Sequence, residues 1–211
     1  LLSNDVNYYR NYNGIYGLVS GEFNQIGLGY QLGMRAENTD RLIALANTED
    51  EFAINRWDFF PTVHFSYQLP GENQMMASYT RRIDRPRGWY FEPFLTWTDA
   101  YNVRRGNPSL KPEYINAYEI AYMGDFDDNS LSAELFWRTS NNEIEGIRTA
   151  YNDSVTLRSY QNVGSERFIG LEIMLNLDVI ERWETNFTGE FFQYRVWGSY
   201  DDEIFDRKSF T

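Results

Sequence analysis

The sequence predicts an all-β chain, an antiparallel up-and-down β-barrel segment that crosses a membrane with about eight long strands. Three observations predict it. Apolar and polar residues alternate with period two over long runs, short and long connections follow in turn, and aromatic side chains gather where connections begin. Composition agrees with this reading. Aromatics make up 18% of the 211 residues although mean hydropathy is −0.58. That combination suits amphipathic strands with Tyr and Trp at a polar boundary.

Taken in chain order, a weak alternation at Tyr12–Ser20 precedes the clearest one, Ile26–Glu37. There Ile26, Leu28, Tyr30, Leu32, Met34 and Ala36 share one face, and Gly27, Gly29, Gln31, Gly33, Arg35 and Glu37 share the other. A run of about twelve residues exceeds an ordinary globular strand and suffices to cross a bilayer at a tilt. The pattern returns at Thr62–Leu69, Met75–Ile83, Tyr114–Met123, Leu131–Arg138, Ile169–Leu177 and Thr185–Trp197. Short links are expected near Glu22–Gln25, Pro70–Gln74, Gly124–Ser130 and Asp178–Glu184. Long ones are expected over Asn38–Asp58, with a helical turn in Thr39–Glu51, over Asp84–Glu113, over Ser140–Glu166, and from Ser199 onward. Such a rhythm fits a barrel with tight periplasmic turns and long external loops, not a sandwich.

Several function classes recede at this stage. A net charge of −12 argues against nucleic acid as a partner. No Cys is present, so neither a disulfide framework nor a thiolate metal site is available. Leu1–Asp5 has no basic or apolar leader character, which for an exported barrel suggests a mature product or an excised piece. His64, the single histidine, falls on a polar strand face. Glu143 and Glu145 flank Ile144 but lie among abundant carboxylates, and Asp125, Asp127 and Asp128 lack the spacing of a calcium loop. No catalytic residue, cofactor or metal site is expected, and the chain is not read as an enzyme.

One loop carries ligand-type chemistry. Trp89, Trp97, Tyr101, Arg104 and Arg105 lie together between Asp84 and Glu113. Aromatic faces stack on sugars or aromatic ligands, and paired arginines suit anionic groups. The competing reading is that the loop packs on its neighbours and caps the barrel. A soluble aromatic-rich β-domain for carbohydrate binding or adhesion is the alternative for the chain as a whole.

The stretch Ser78–Pro86 reads S-Y-T-R-R-I-D-R-P, and Gly106–Glu113 reads G-N-P-S-L-K-P-E before a new strand holding Glu119. These segments, with Asn162-Val163-Gly164 leading into Gly170-Leu171-Glu172, resemble the barrel of TonB-dependent outer-membrane receptors, closest to the type abundant in Bacteroidota. The resemblance implies residence in the outer membrane of a Gram-negative bacterium and import of a scarce nutrient such as a metal chelate, glycan or peptide. It also implies a barrel of about twenty-two strands, of which this chain supplies a part without plug domain or TonB-contacting segment. Implied partners are outer-membrane lipid, the plug and remaining strands of the same protein, TonB through the missing N-terminal part, and a surface lipoprotein. The motif residues Arg82, Arg85, Pro86, Gly106, Asn107, Pro108, Leu110, Pro112, Glu113 and Glu119 are expected to be architectural. Glu113 and Glu119 are expected to pair with Arg81, Arg82 or Arg85 inside the barrel, and Gly106 to sit at an exposed loop tip.

Overall fold

The computed structural model describes residues 6–45, 51–180, 183–201 and 203–211. It is a single antiparallel sheet. The strands β1 (Val6–Phe23), β2 (Leu28–Leu45), β3 (Glu51–Gln68), β4 (Asn73–Asp84), β7 (Glu113–Phe126), β8 (Asn129–Asn152), β9 (Val155–Ile180), β10 (Trp183–Tyr200) and β11 (Glu203–Phe210) pair in that order. Two short strands, β5 (Thr96–Trp97) and β6 (Asn102–Arg104), lie off this path, and β6 joins β9 in parallel. Sequential antiparallel neighbours throughout give the up-and-down wall, with β1 and β11 at its edges.

The register turns the period-two pattern into two faces. One row crosses eight strands as Gly21, Tyr30, Phe65, Ala77, Ile120, Leu135, Leu171 and Phe191. The adjacent row on the opposite face reads Ser20, Gln31, His64, Ser78, Glu119, Phe136, Gly170 and Phe192. Which face is outward follows from burial. Phe59 is 55% exposed beside Phe60 at 3%, and Trp57 is 53% exposed beside Asp58 at 5%. The Phe60 face is covered by the loop between β4 and β7, whereas the Phe59 face carries the uncovered apolar belt. Only lipid satisfies a belt of that extent.

Strand lengths depart from expectation. Residues expected as long loops over Asn38–Asp58 and Ser140–Glu166 are mostly strand, as β2 and β3 run on to Leu45 and Glu51, and β8 and β9 meet at the Asp153–Ser154 turn. The helical turn expected in Thr39–Glu51 is absent from its described part, which is strand; residues 46–50 lie outside the described residues. No long loop begins at Ser199, because β11 follows after a tight turn at Asp201, which has φ of 51°. Ile26 and Gly27 belong to a turn with Gly27 at φ 63°, not to β2. The short links near Asn24 and Asp127 are tight turns as expected. In the Asp178–Glu184 link residues 181–182 lie outside the described residues, as does Leu1–Asp5. The physical reason for the longer strands is that a backbone ladder needs no apolar face. An 18-residue strand reaches about 60 Å, beyond an apolar belt of about 25 Å.

Candidate functional site

Of the described connections, Arg85–Pro112 is the long one. It contains Pro86, Pro93, Pro108 and Pro112, whose fixed φ and missing N–H groups prevent β4 and β7 from extending as their neighbours do. Pro61 acts similarly in the wall, since the β3–β4 ladder stops at Thr62↔Thr80 beside it. The loop turns into the barrel. A 3-10 turn at Gly88–Phe91 places Phe91 with Ile43, Leu110 and Tyr160 in a buried cluster that Phe52 and Ile144 also touch.

The G-N-P-S-L-K-P-E segment makes the loop's densest set of bonds. Gly106 N–H donates to the Glu92 carbonyl at 2.7 Å, and a Cβ there would sit 2.5 Å from the Tyr90 carbonyl oxygen. Only glycine permits that approach. Asn107 donates from its backbone to the Tyr90 carbonyl at 2.6 Å and from Nδ2 to the Tyr160 carbonyl at 3.0 Å, and its Oδ1 accepts from Ser109 N–H at 3.0 Å. The Pro108 carbonyl accepts from Arg41 at 3.2 Å. Leu110 is 1% exposed. Asn162 on β9 imitates a strand edge toward Lys111, accepting from its N–H and donating to its carbonyl, both at 2.9 Å. Pro112 is buried, and its carbonyl accepts from Asn142 at 3.4 Å. Gly106 is therefore buried in the barrel mouth rather than at the loop tip expected for it.

The ligand-type residues separate into two groups. Trp89 meets Tyr90 edge-on at 4.4 Å and Tyr160 at 5.2 Å, with Tyr90 stacked on Tyr160 at 3.9 Å. Arg104 lies 4.7 Å over the Trp89 ring and pairs with Glu92 at 2.9 Å. Trp97 and Tyr101, 55% and 67% exposed, project from the β5–β6 hairpin, Trp97 edge-on to Tyr151 at 6.2 Å. Arg105 is anchored by its backbone N–H to the Arg158 carbonyl at 2.9 Å and its side chain is exposed.

None of the expected ion pairs forms among the described residues: Arg85 and Glu119 take other partners, and Glu113 takes a backbone N–H. Arg85 pairs with Glu37 at 2.5 Å and lies over the Tyr12 ring, next to buried Pro86. Glu119 pairs with Arg138 at 3.2 Å and accepts from Ser78 at 3.1 Å. Glu113 accepts from the Ile144 N–H at 2.8 Å. Arg81 lies on the opposite face over Tyr114, and Arg82 is exposed. Spacing along one strand does not determine which cross-strand neighbours register supplies, so Glu37 and Arg138 escaped notice. Above the belt, Glu143 has its carboxyl pushed up to about 7, by burial first and then by Glu166, Glu145 and Glu113. Sequence reading also missed Arg41, Tyr160 and the clamping role of Asn162; only the N-V-G run around Asn162 gave any signal.

Solved structures similar in fold to this chain include receptors and a transporter. The copper transporter OprC is 12% identical, with a TM-score of 0.61 over 92% of this chain and 33% of its own. The Serratia marcescens hemophore receptor HasR is 15% identical, with a TM-score of 0.62 over 89% of this chain and 33% of its own. The siderophore receptor PirA from Pseudomonas aeruginosa is 13% identical, with a TM-score of 0.56 over 100% of this chain and 49% of its own. At these identities the likeness is one of fold, and the chain spans a third to a half of those proteins' length. No curated protein matches the sequence. The outer membrane protein beta-barrel family matches residues 1–211. With its lipid-facing belt, polar inner face and inward loop, this chain is a partial barrel wall of the Gram-negative outer membrane and belongs to the outer membrane protein beta-barrel family.

Proposed function

We propose that this chain forms part of the wall and external mouth of a TonB-dependent receptor that captures a scarce nutrient outside and admits it through the barrel. The observation that carries this reading is the pairing of an apolar belt with a loop folded into the lumen at the extended end of the strands. A soluble carbohydrate-binding or adhesion module has no use for such a belt. In this reading the remaining strands, the plug and the TonB-contacting segment come from the same protein, and a surface lipoprotein is an accessory partner. The chain performs no chemistry on its cargo. The motif from Gly106 to Glu113 clamps the loop. Trp89 and Arg104 are spent on packing, which leaves Trp97, Tyr101 and Arg105 to meet cargo. Copper, heme and siderophore stand in the names of the proteins similar in fold, and a metal chelate is the first cargo class to try, before glycans and peptides.

The test is uptake by cells with and without the full-length gene. Labelled ferric chelates, heme, copper, oligosaccharides and peptides are supplied one at a time. One class should enter only when the protein is present, and a protonophore should abolish its entry. Equal uptake of every class by both strains overturns the proposal.

A further inference from the structure

The inward loop leaves a small, partly open cavity against the wall. About 30 Å³ in volume, it is bordered on the polar side by Tyr12, Thr39, Arg41 and Arg56 of the wall and Arg85 of the loop, and on the apolar side by Ile54 and the loop residues Pro86, Phe91, Leu110 and Pro112. That is room for one water-sized or halide-sized particle. Its chemistry is lopsided. Arg56 is held by Asp58 at 3.0 Å, and Arg85 by Glu37 at 2.5 Å. Glu37 is further shared with Arg35 at 3.1 Å.

Arg41 has no carboxylate among the described residues. It is 6% exposed, its Nη2 donates to the neutral Pro108 carbonyl at 3.2 Å, and its guanidinium lies 3.6 Å over the Phe91 ring. Arg41 Nε, Arg85 Nε and Thr39 Oγ1 are buried without a hydrogen-bond partner among the described residues, and Thr39 is 7% exposed. Buried arginines are rare unless paired, and a carbonyl with a ring face does not neutralise one. Burial depresses the Arg41 pKa, and the charged neighbours Arg56 and Arg10 add to that depression while the phenols of Tyr8 and Tyr12 oppose it.

A guanidinium has only N–H groups to give, so whatever sits here must accept hydrogen bonds. A cation or ammonium is excluded by charge. Water accepts but leaves the charge uncompensated.

We propose that the cavity binds one small inorganic anion of the halide class, held by Arg41 and Thr39, which locks the inward loop onto the barrel wall. The anion sits between two parts that move as one while it is bound: β1–β3 on one side, the Pro86–Pro112 segment on the other. Loop release then becomes sensitive to halide concentration, independently of which cargo the receptor carries.

Crystals of the full-length protein soaked in bromide test this directly. An anomalous peak beside Arg41 Nε and Thr39 Oγ1 is expected. An ordered water there, or a carboxylate from another part of the same protein, overturns the proposal. A second measurement uses the full-length protein in detergent at constant ionic strength, with gluconate replaced stepwise by bromide. Exchange of the Gly106 amide should slow about tenfold when bromide reaches ten times its dissociation constant. Arg41→Gln should remove that response. A wild-type protein whose loop exchange ignores bromide also overturns it, whether or not the variant folds.

Discussion

The two segments Asp84–Glu113 and Ser140–Glu166 look alike in sequence, each a polar stretch between alternating strands, yet they fold in opposite ways. The first is a loop that turns into the barrel mouth, and the second is the upper part of the β8–β9 hairpin closed by a two-residue turn. Four of the chain's six prolines fall in the first and none in the second. Polarity marks where the membrane ends, while proline marks where the ladder ends. A strand that leaves lipid loses its apolar face but keeps its hydrogen bonds. Only residues that cannot donate, or that crowd the ladder, make it stop.

The two segments should differ most at buried loop anchors. Leu110→Ala should weaken loop closure by about 2–5 kcal/mol, the usual cost of a cavity at a fully buried leucine. Ile147→Ala, half-buried on the hairpin, should cost about 1 kcal/mol. Hydrogen exchange at the Gly106 amide against that at hairpin amides measures both. Equal costs would mean that the loop is draped rather than anchored.

A glycine in each segment gives a second contrast. A Cβ on Gly106 meets backbone atoms of Tyr90 and Glu92 at 2.5 and 2.6 Å, whereas on Gly146 the nearest atoms lie 3.7 Å away. Gly106→Ala should therefore destabilise the loop by about 1–3 kcal/mol, and Gly146→Ala should stay within about 0.5 kcal/mol of the parent. Thermal unfolding of the two variants in lipid separates them; a harmless Gly106→Ala would show that the loop backbone lies farther from Tyr90.

At the junction of the two segments, Asn142 adopts φ of 63° within a bulge between β8 and β9, and its carbonyl accepts from Asn162 at 2.6 Å. Asn142→Val should cost about 1–3 kcal/mol, because a β-branched residue is strained there, while Asn142→Gly should recover most of it. Denaturant midpoints of the three proteins give the order, and a Val variant as stable as the Gly one would count against strain.

A further expected effect is on pH. Glu143 holds its proton in the folded protein up to about 7, against 4.5 for the free group. The folded state therefore binds more protons between those values, and its stability falls as pH rises from about 4.5 through about 7. Glu143→Gln should flatten that slope. A melting temperature that climbs over the same window, with Glu143 intact, would contradict the carboxylate crowding.

Which residues share a face could be read in advance, because side chains alternate by a backbone rule that operates within a few residues. Leu171 and Ile173 against Glu172 needed no partner strand to be sorted. The motif from Gly106 to Glu113 was also visible, though its burial was not, since nothing local tells a loop to fold inward.

By itself the sequence determined the all-β wall and the apolar belt, both consequences of short-range alternation, whereas the long loops expected over Asn38–Asp58 and Ser140–Glu166 are mostly strand. Tertiary structure alone decided that Arg85 meets Glu37, 48 residues away, that Glu119 meets Arg138, and that Arg41 is buried with no carboxylate partner among the described residues. The physical reason is register: charge pairing depends on which strands lie side by side and at what offset, and that offset comes from turns and bulges spread over the whole sheet.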